Sequence, residues 1–398
     1  MNILALEPFY GGSHAAMLKG WQQASRHHIH IVSLPPRHWK WRMRHAALTM
    51  ARQVQQQAEA PLQTPDQMDL VFASDMLDLP SWKGFVGLPW AQLPTVLYFH
   101  ENQWTYPLSP GQPLDLHYGY TNFLSAAVAD AVWFNSNYHR QTFLAAAHAR
   151  LSQMPDCTHV EELAEIEARS HVVYPGITPR IPPHSRTRQS LDASPNGPKS
   201  GDFGYGRFDG NATPLTIGWV SRWEHDKRPE VFAEAIERLC AEQRDFRLIL
   251  LGESFRKVPE CYQRLLDVAG DRVLHSGYAE SREAYWQHLD QMDVVVSSAS
   301  HEFFGIAIAE AATAGVVPIV PHDLAYPELY DGEPPAAIFY DGQEAELVTA
   351  LRRCIDDPAS LADLRTEAQR RAARLNWTQQ TQVFDDQCEA VVAWAPGP

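Results

Sequence analysis

Cysteine is scarce in this 398-residue chain: five residues, at positions 157, 240, 261, 354 and 388, with no CxxC pair among them. That spacing argues against a disulfide framework and against a zinc site. Long apolar runs are missing too. The stretch 305–320 is broken by Glu310 and Pro318 and falls short of the ~18 apolar residues that a membrane-spanning helix needs. The opening MNILALEPFYGGSH has neither a basic region nor a small-residue cleavage site, so no secretory signal is expected and the expected compartment is the cytoplasm. Positive charge is in deficit: 33 Lys and Arg against 48 Asp and Glu, a net charge of −15. Such a field repels polyanions on average, so nucleic acid could be held only by a local basic patch. What is present, 45% hydrophobic and 11% aromatic residues, is enough to bury a core. At roughly 150 residues per domain the length predicts two or three domains.

Short apolar, β-branched runs alternate with helical patterns along most of the chain. In the first half strands are expected at 3–6, 29–34, 70–73, 96–99, 132–135 and 172–174, with a helix over 138–151. Strands that read as continuous apolar runs are buried on both faces, which predicts a parallel sheet covered by helices. Residues 182–213 then lose all periodicity and fill with Pro, Gly, Ser and Asp, as expected of a linker or mobile loop, with an ordered surface insertion as the alternative. From residue 215 the alternation returns, with strands at 216–220, 247–251, 272–275, 294–297, 317–320 and 336–340. The expected organisation is an α/β acceptor domain over 1–181, a connection over 182–213, a second α/β domain over 214–376, and a terminal helix from 377 that returns to the first domain. Open α/β sheets bind ligands at the carboxyl ends of their strands, which places the site between the two domains.

Four segments at such strand ends carry chemistry. Gly11 and Gly12 follow the first strand, where paired glycines admit a phosphate or sugar close to the backbone; an ordinary turn is the alternative. His100, Glu101 and Asn102 follow the fourth, with Trp104 and Tyr106 as stacking faces, or the same aromatics fill core. Arg222 and Lys227 follow the first strand of the second domain. Two cations there neutralise a departing diphosphate, unless they are a surface pair balanced by Glu224 and Asp226. Glu302 precedes, and Glu310 lies inside, a helix opened by Gly305. The amides of Phe304, Gly305 and Ile306 are expected free for phosphate oxygens, and Glu310 stands in an apolar stripe where a charge without a partner is unfavourable.

Two α/β domains, a glycine-rich first loop, Arg222 with Lys227, and two glutamates seven residues apart resemble a GT-B glycosyltransferase of family 4. That resemblance implies two Rossmann-like domains facing a cleft, and retention at the transferred sugar. It implies that Arg222 and Lys227 hold the donor diphosphate, Glu302 the sugar and Glu310 the ribose, with Gly252-Glu253 and Tyr278 near the nucleotide and His100 across the cleft. No D-x-D sequence is present, which supports a metal-free reaction in which the two cations do the work of manganese. The segments EPFYGGSH, LPPRHWKWRMRHAA, YFHENQWTYP and FNSNYHR further resemble the tRNA-queuosine α-mannosyltransferase family. Membership implies mannose transfer from GDP-mannose to the queuosine at the wobble position of tRNA-Asp, no cofactor, and no integral membrane association.

The nine residues 37–45 hold Arg37, Lys40, Arg42 and Arg44 together with Trp39 and Trp41. Interleaved cations and indoles suit phosphate contact and base stacking on an unpaired loop such as an anticodon. A solvated helix face with one Trp packed inward reads equally from the pattern. His14, Glu101, Asn102 and Asn135 complete the expected acceptor set. Three rivals remain open: a family 4 transferase with a lipid, glycan or small-molecule acceptor; a GT-B phosphorylase or epimerase; and a non-catalytic tRNA- or nucleotide-binding protein.

Overall fold

A computed structural model describes residues 1–57, 64–107, 115–178, 214–252 and 259–394. The whole of the 182–213 segment and Glu253 lie outside them. The apolar runs form two six-stranded sheets, parallel throughout. β1 (Asn2–Glu7), β2 (His28–Ser33), β3 (Leu70–Ser74), β4 (Thr95–Phe99), β5 (Ala131–Phe134) and β6 (Ser170–Val172) lie in the order β2-β1-β3-β4-β5-β6. β7 (Leu215–Val220), β8 (Phe246–Leu251), β9 (Val273–Gly277), β10 (Val294–Val296), β11 (Val317–Pro321) and β12 (Ile338–Tyr340) lie in the order β12-β11-β10-β7-β8-β9. β3, β4, β5, β7, β10 and β11 are buried at every position, as strands covered on both faces must be. Each order reverses direction once, between β1 and β3 and between β7 and β10. At such a reversal the loops leave to opposite faces and open a crevice.

The C-terminal helix Trp377–Trp394 packs on the first sheet. Its Trp377, Phe384 and Cys388 share a core with Trp21, Tyr98 and Trp133. Each fully buried apolar side chain of that kind contributes about 1.5–3 kcal/mol. Asp385, on the same helix, is fully buried and fully engaged: it accepts from Trp21 Nε1 at 2.8 Å, Ser25 Oγ at 2.7 Å and the Arg26 amide at 2.9 Å. The crossing is pinned by Ile177, whose amide donates to the Leu375 carbonyl and whose carbonyl accepts from the Trp377 amide.

A second contact joins the halves at the helix Asn137–Leu151. Ser136 caps its first turn, and Glu328 of the other half accepts from the Asn137 amide at 2.8 Å, the Tyr138 amide at 3.0 Å and the Tyr174 hydroxyl at 2.7 Å. A carboxylate at a helix N-terminus meets both free N–H groups and the positive end of the helix dipole. Phe303 stacks on His139 of that helix at 3.7 Å. The two strand-end faces therefore confront each other across a narrow gap.

Candidate active site

Three adjoining cavities fill the gap, of about 260, 630 and 560 Å³, and Arg222 lines all three. In the smallest and most central, the loop after β7 meets the loop after β10. These strands are neighbours at the sheet's reversal, so residues 75 apart in sequence come into contact. Lys227 Nζ lies 3.0 Å from Glu302 Oε2 and 3.1 Å from Asp226 Oδ2, and donates to the His301 carbonyl at 3.0 Å. Burial opposes the ammonium charge, but the Glu302 and Asp226 carboxylates override it and raise the Lys227 pKa. Glu302 is held the other way. Burial would raise its pKa, and Lys227 together with the Gly305 amide lowers it instead, so it stays ionised.

The expected free amides before the Glu310 helix are not all free. Glu302 Oε1 accepts from the Gly305 amide at 3.0 Å and weakly from that of Phe304 at 3.5 Å. The carboxylate folds back and caps its own loop, because that loop turns sharply: Gly305 has φ +83, and a Cβ there would sit 2.9 Å from the Tyr326 ring. Among the described residues no acceptor meets the Ile306 amide, the first of the helix Ile306–Thr313. Glu310 is not an isolated charge either. It accepts from Tyr285 at 2.9 Å and is paired with Arg282, whose guanidinium also packs on the Tyr285 and Trp286 rings. Both partners come from the helix Arg282–Leu289, and the sequence reading missed them. Their i, i+3 spacing in S-R-E-A-Y was the available signal.

Glu310 faces the 560 Å³ cavity, with the three-quarters-exposed Tyr278 ring and Gly252 on its wall. At Gly252 a Cβ would meet the Ser221 carbonyl at 2.2 Å, so only glycine lets β8 end that close to the β7 loop. Arg222 pairs with Glu224 at 2.9 Å and shares two cavity walls with Tyr106 of the opposite half. The sequence alternative of a balanced pair therefore holds in part: Arg222 and Lys227 each meet a neighbouring carboxylate, yet both remain on the cavity walls.

Across the gap, His14 donates from Nδ1 to the fully buried Glu7 at 3.1 Å and stacks on His100 at 3.8 Å. Burial opposes charge on His14, but Glu7 outweighs it and holds the pKa up at about 9. Burial, with His14 and His139 as like charges, pushes His100 well below the ordinary histidine value, so it is neutral, and its buried Nε2 meets no partner among the described residues. Asp75, whose Oδ1 accepts from the His100 amide at 2.9 Å, is pushed up to about 8 by burial. Glu7, His14 and His100 are close enough to share a metal ion. As placed, one of these ligand pairs is already used internally, since His14 Nδ1 is engaged by Glu7 Oε2 at 3.1 Å.

The expected acceptor residues divide. His14, Glu101 and Asn135 reach the cavity walls, as do Gly11 and Gly12, which were expected on the donor side. Asn135 also orients its neighbours, donating to the His100 carbonyl at 3.0 Å and accepting from His139 at 2.8 Å. Asn102 does not reach the cavities. It is fully buried, and its Oδ1 accepts from the Thr105 amide and hydroxyl, a side chain that shapes its own turn. Arg37, Lys40, Trp41, Arg42 and Arg44 line none of the three cavities. They sit at and just before the start of the helix Trp39–Gln57, with Trp41 62% exposed and Arg44 over the Tyr118 ring. Trp39, half-buried against Tyr118, links that basic segment to the 630 Å³ cavity. Glu7 and Asp75 were not expected at the site, and Asp226 only as a counter-charge, although each stands in a strand-end loop or at its threshold.

Comparison with known proteins agrees with this geometry. Residues 2–177 match the model for the tRNA-queuosine alpha-mannosyltransferase N-terminal family, and residues 207–371 that for glycosyl transferases group 1. A Drosophila melanogaster tRNA-queuosine alpha-mannosyltransferase is 33% identical over 338 residues, covering 83% of this chain and 82% of its own. A 2-deoxystreptamine glucosyltransferase of Streptomyces kanamyceticus is 28% identical over 37% of this chain and 38% of its own. Sucrose-phosphate synthase from Thermosynechococcus elongatus shares the fold, with TM-score 0.66 and 15% identity over 99% of this chain and all of that one. A glycosyltransferase from Rickettsia africae does so with TM-score 0.64 and 14% identity over 98% of each chain. With GT-B neighbours across both sheets and a relative that spans both halves, the chain belongs to the tRNA-queuosine alpha-mannosyltransferase family.

Proposed function

We propose that the chain moves mannose from GDP-mannose to the queuosine at the wobble position of tRNA, with retention at the anomeric carbon. The observation that carries this reading is the relation to the Drosophila enzyme, which covers 83% of this chain and so extends into both halves. The nucleotide lies in the 560 Å³ cavity against Tyr278, with its ribose hydroxyls at Glu310. Its diphosphate lies between Arg222, Lys227 and the Ile306 amide. Glu302 holds the sugar hydroxyls. An acceptor hydroxyl oxygen bonds to the anomeric carbon as the bond from that carbon to the β-phosphate oxygen breaks, and the electron pair leaves with GDP. The acceptor proton passes to a leaving phosphate oxygen. Two preplaced cations meet the charge that develops there, the kind of contribution worth about 3–4 kcal/mol when one such group is removed, so no metal ion is needed. Neutral His100 has a lone pair or an N–H for the transferred sugar.

The basic segment 37–45 gives an acidic protein a local place for tRNA phosphates and a stacking base. Competition among GDP-mannose, GDP-glucose and UDP-glucose with queuosine-bearing tRNA tests the donor assignment, and digestion of the product nucleoside by an α-mannosidase tests retention. Transfer from GDP-mannose alone, in a linkage the α-mannosidase cleaves, is the expected result. A product from UDP-glucose, or a resistant linkage, overturns it.

A further inference from the structure

The 630 Å³ cavity differs from its neighbours in being walled almost wholly by the N-terminal half, Arg222 excepted. Phe9, Trp39 and Met76 line it, and with Met43 and Tyr118 they form a small apolar cluster apart from the main cores. Walls of aromatic and thioether groups suit a flat ring. Trp39 opens the helix that carries Lys40 and the exposed Trp41, so a nucleotide with its phosphate on that basic segment has its base directed at this cavity.

Glu101 is the group that the donor chemistry leaves without a task. It lines both this cavity and the central one, at their junction. The cations around it are committed elsewhere: Lys227 to Glu302 and Asp226, Arg222 to Glu224, and His14 to Glu7. Among the described residues its carboxylate has no hydrogen-bonded partner; it faces His14, Arg222, Lys227 and Asp226 through charge only. When a diphosphate engages Arg222 and Lys227, a half-buried carboxylate is left facing the cavity. Such a group is unfavourable unless a donor meets it, and a cationic N–H is its best complement.

We infer that this cavity receives the acceptor base, and that Glu101 selects an acceptor whose ring carries a cationic amine. The inference rests on the proposed function. Queuosine joins a 7-deazaguanine ring to a hydroxylated cyclopentene through a secondary amine, which is protonated at neutral pH. With the flat ring against Trp39 and Phe9, the ammonium meets Glu101, and the hydroxylated ring beyond it enters the central cavity beside His100 and Glu302.

The test compares two tRNAs that differ only in the wobble base. One carries 7-aminomethyl-7-deazaguanine, cationic but without the hydroxylated ring; the other carries neutral 7-cyano-7-deazaguanine. Each is titrated against the GDP-saturated protein at one salt concentration, so the shared phosphate contacts cancel. Binding of the cationic form about tenfold or more tighter is the expected result, from one charge-assisted hydrogen bond. In Glu101→Gln the difference falls below about twofold, with GDP affinity as the check that the variant is folded. Equal affinities in the wild-type protein overturn the inference without any variant, and so does full discrimination in Glu101→Gln. Mannose transfer to queuosine tRNA, measured on the same preparation, reports separately. No transfer overturns the proposed function and the inference with it, whereas transfer without discrimination overturns the inference alone.

Discussion

Replacing Lys227 by Met keeps the length and the apolar stem of the side chain and removes only the ammonium. In the wild-type protein that group is 13% exposed and neutralises two carboxylates at once, Glu302 at 3.0 Å and Asp226 at 3.1 Å. Breaking a buried pair by removing one partner costs about 3–5 kcal/mol. The lower figure applies here, because Glu302 keeps its bond from the Gly305 amide. For a folding unit the size of the C-terminal half, ~3 kcal/mol lowers Tm by roughly 6–12 °C. The effect on turnover is separate. If Lys227 meets the departing diphosphate, kcat falls by about 10²–10³ at temperatures where the variant is folded. The assay is a thermal melt together with initial rates at saturating donor, taken well below both transitions. A variant that keeps kcat within about threefold of wild type refutes the electrostatic role, whatever its Tm. A variant that melts with the wild type refutes the pairing.

Glu310→Gln weakens the grip on Arg282 and on the donor ribose, and is expected to raise the donor KM by about tenfold with less effect on kcat, measured at saturating acceptor. Arg37→Ala combined with Lys40→Ala weakens tRNA binding, and the slope of log affinity against log salt falls by about one for each phosphate that no longer meets a cation; GDP affinity serves as the control. The His14–Glu7 pair makes stability depend on pH. The folded His14 pKa, about 9, lies above the 6.5 of an ordinary histidine, so its contribution is complete below ~6.5 and is lost as pH rises through ~9. Tm should therefore fall between about pH 6.5 and 9 in the wild-type protein and fall less in His14→Gln. An identical decline in both contradicts the pair.

The strands were legible because a buried parallel strand is a continuous apolar run, and β7, β10 and β11 start within a residue of where their apolar runs do. The helix Glu344–Asp356 reads directly from its period. β6 begins earlier than its apolar residues suggest, because Ser170 and His171 are polar edge-strand residues that no apolar pattern marks. At the site, residue types at strand ends were readable and their partners were not. Lys227 meets Glu302 only because β7 and β10 are neighbours, and sheet order is not written in any local pattern. The same holds for Glu328, which caps a helix almost two hundred residues earlier in the chain. Asn102 looked like a ligand because Asn serves hydroxyl recognition and tight turns equally well, and only burial separates the two uses. Arg282 was hidden by the assumption that Glu310 stood alone.

The central claim is a reaction, and one incubation addresses it. Purified protein is supplied with radiolabelled GDP-mannose and tRNA that carries queuosine, beside the same tRNA without queuosine. Label in the queuosine-bearing tRNA only is the predicted result, and it assigns donor, acceptor and reaction together. Equal label in both tRNAs, or GDP-mannose hydrolysed with neither labelled, contradicts the account.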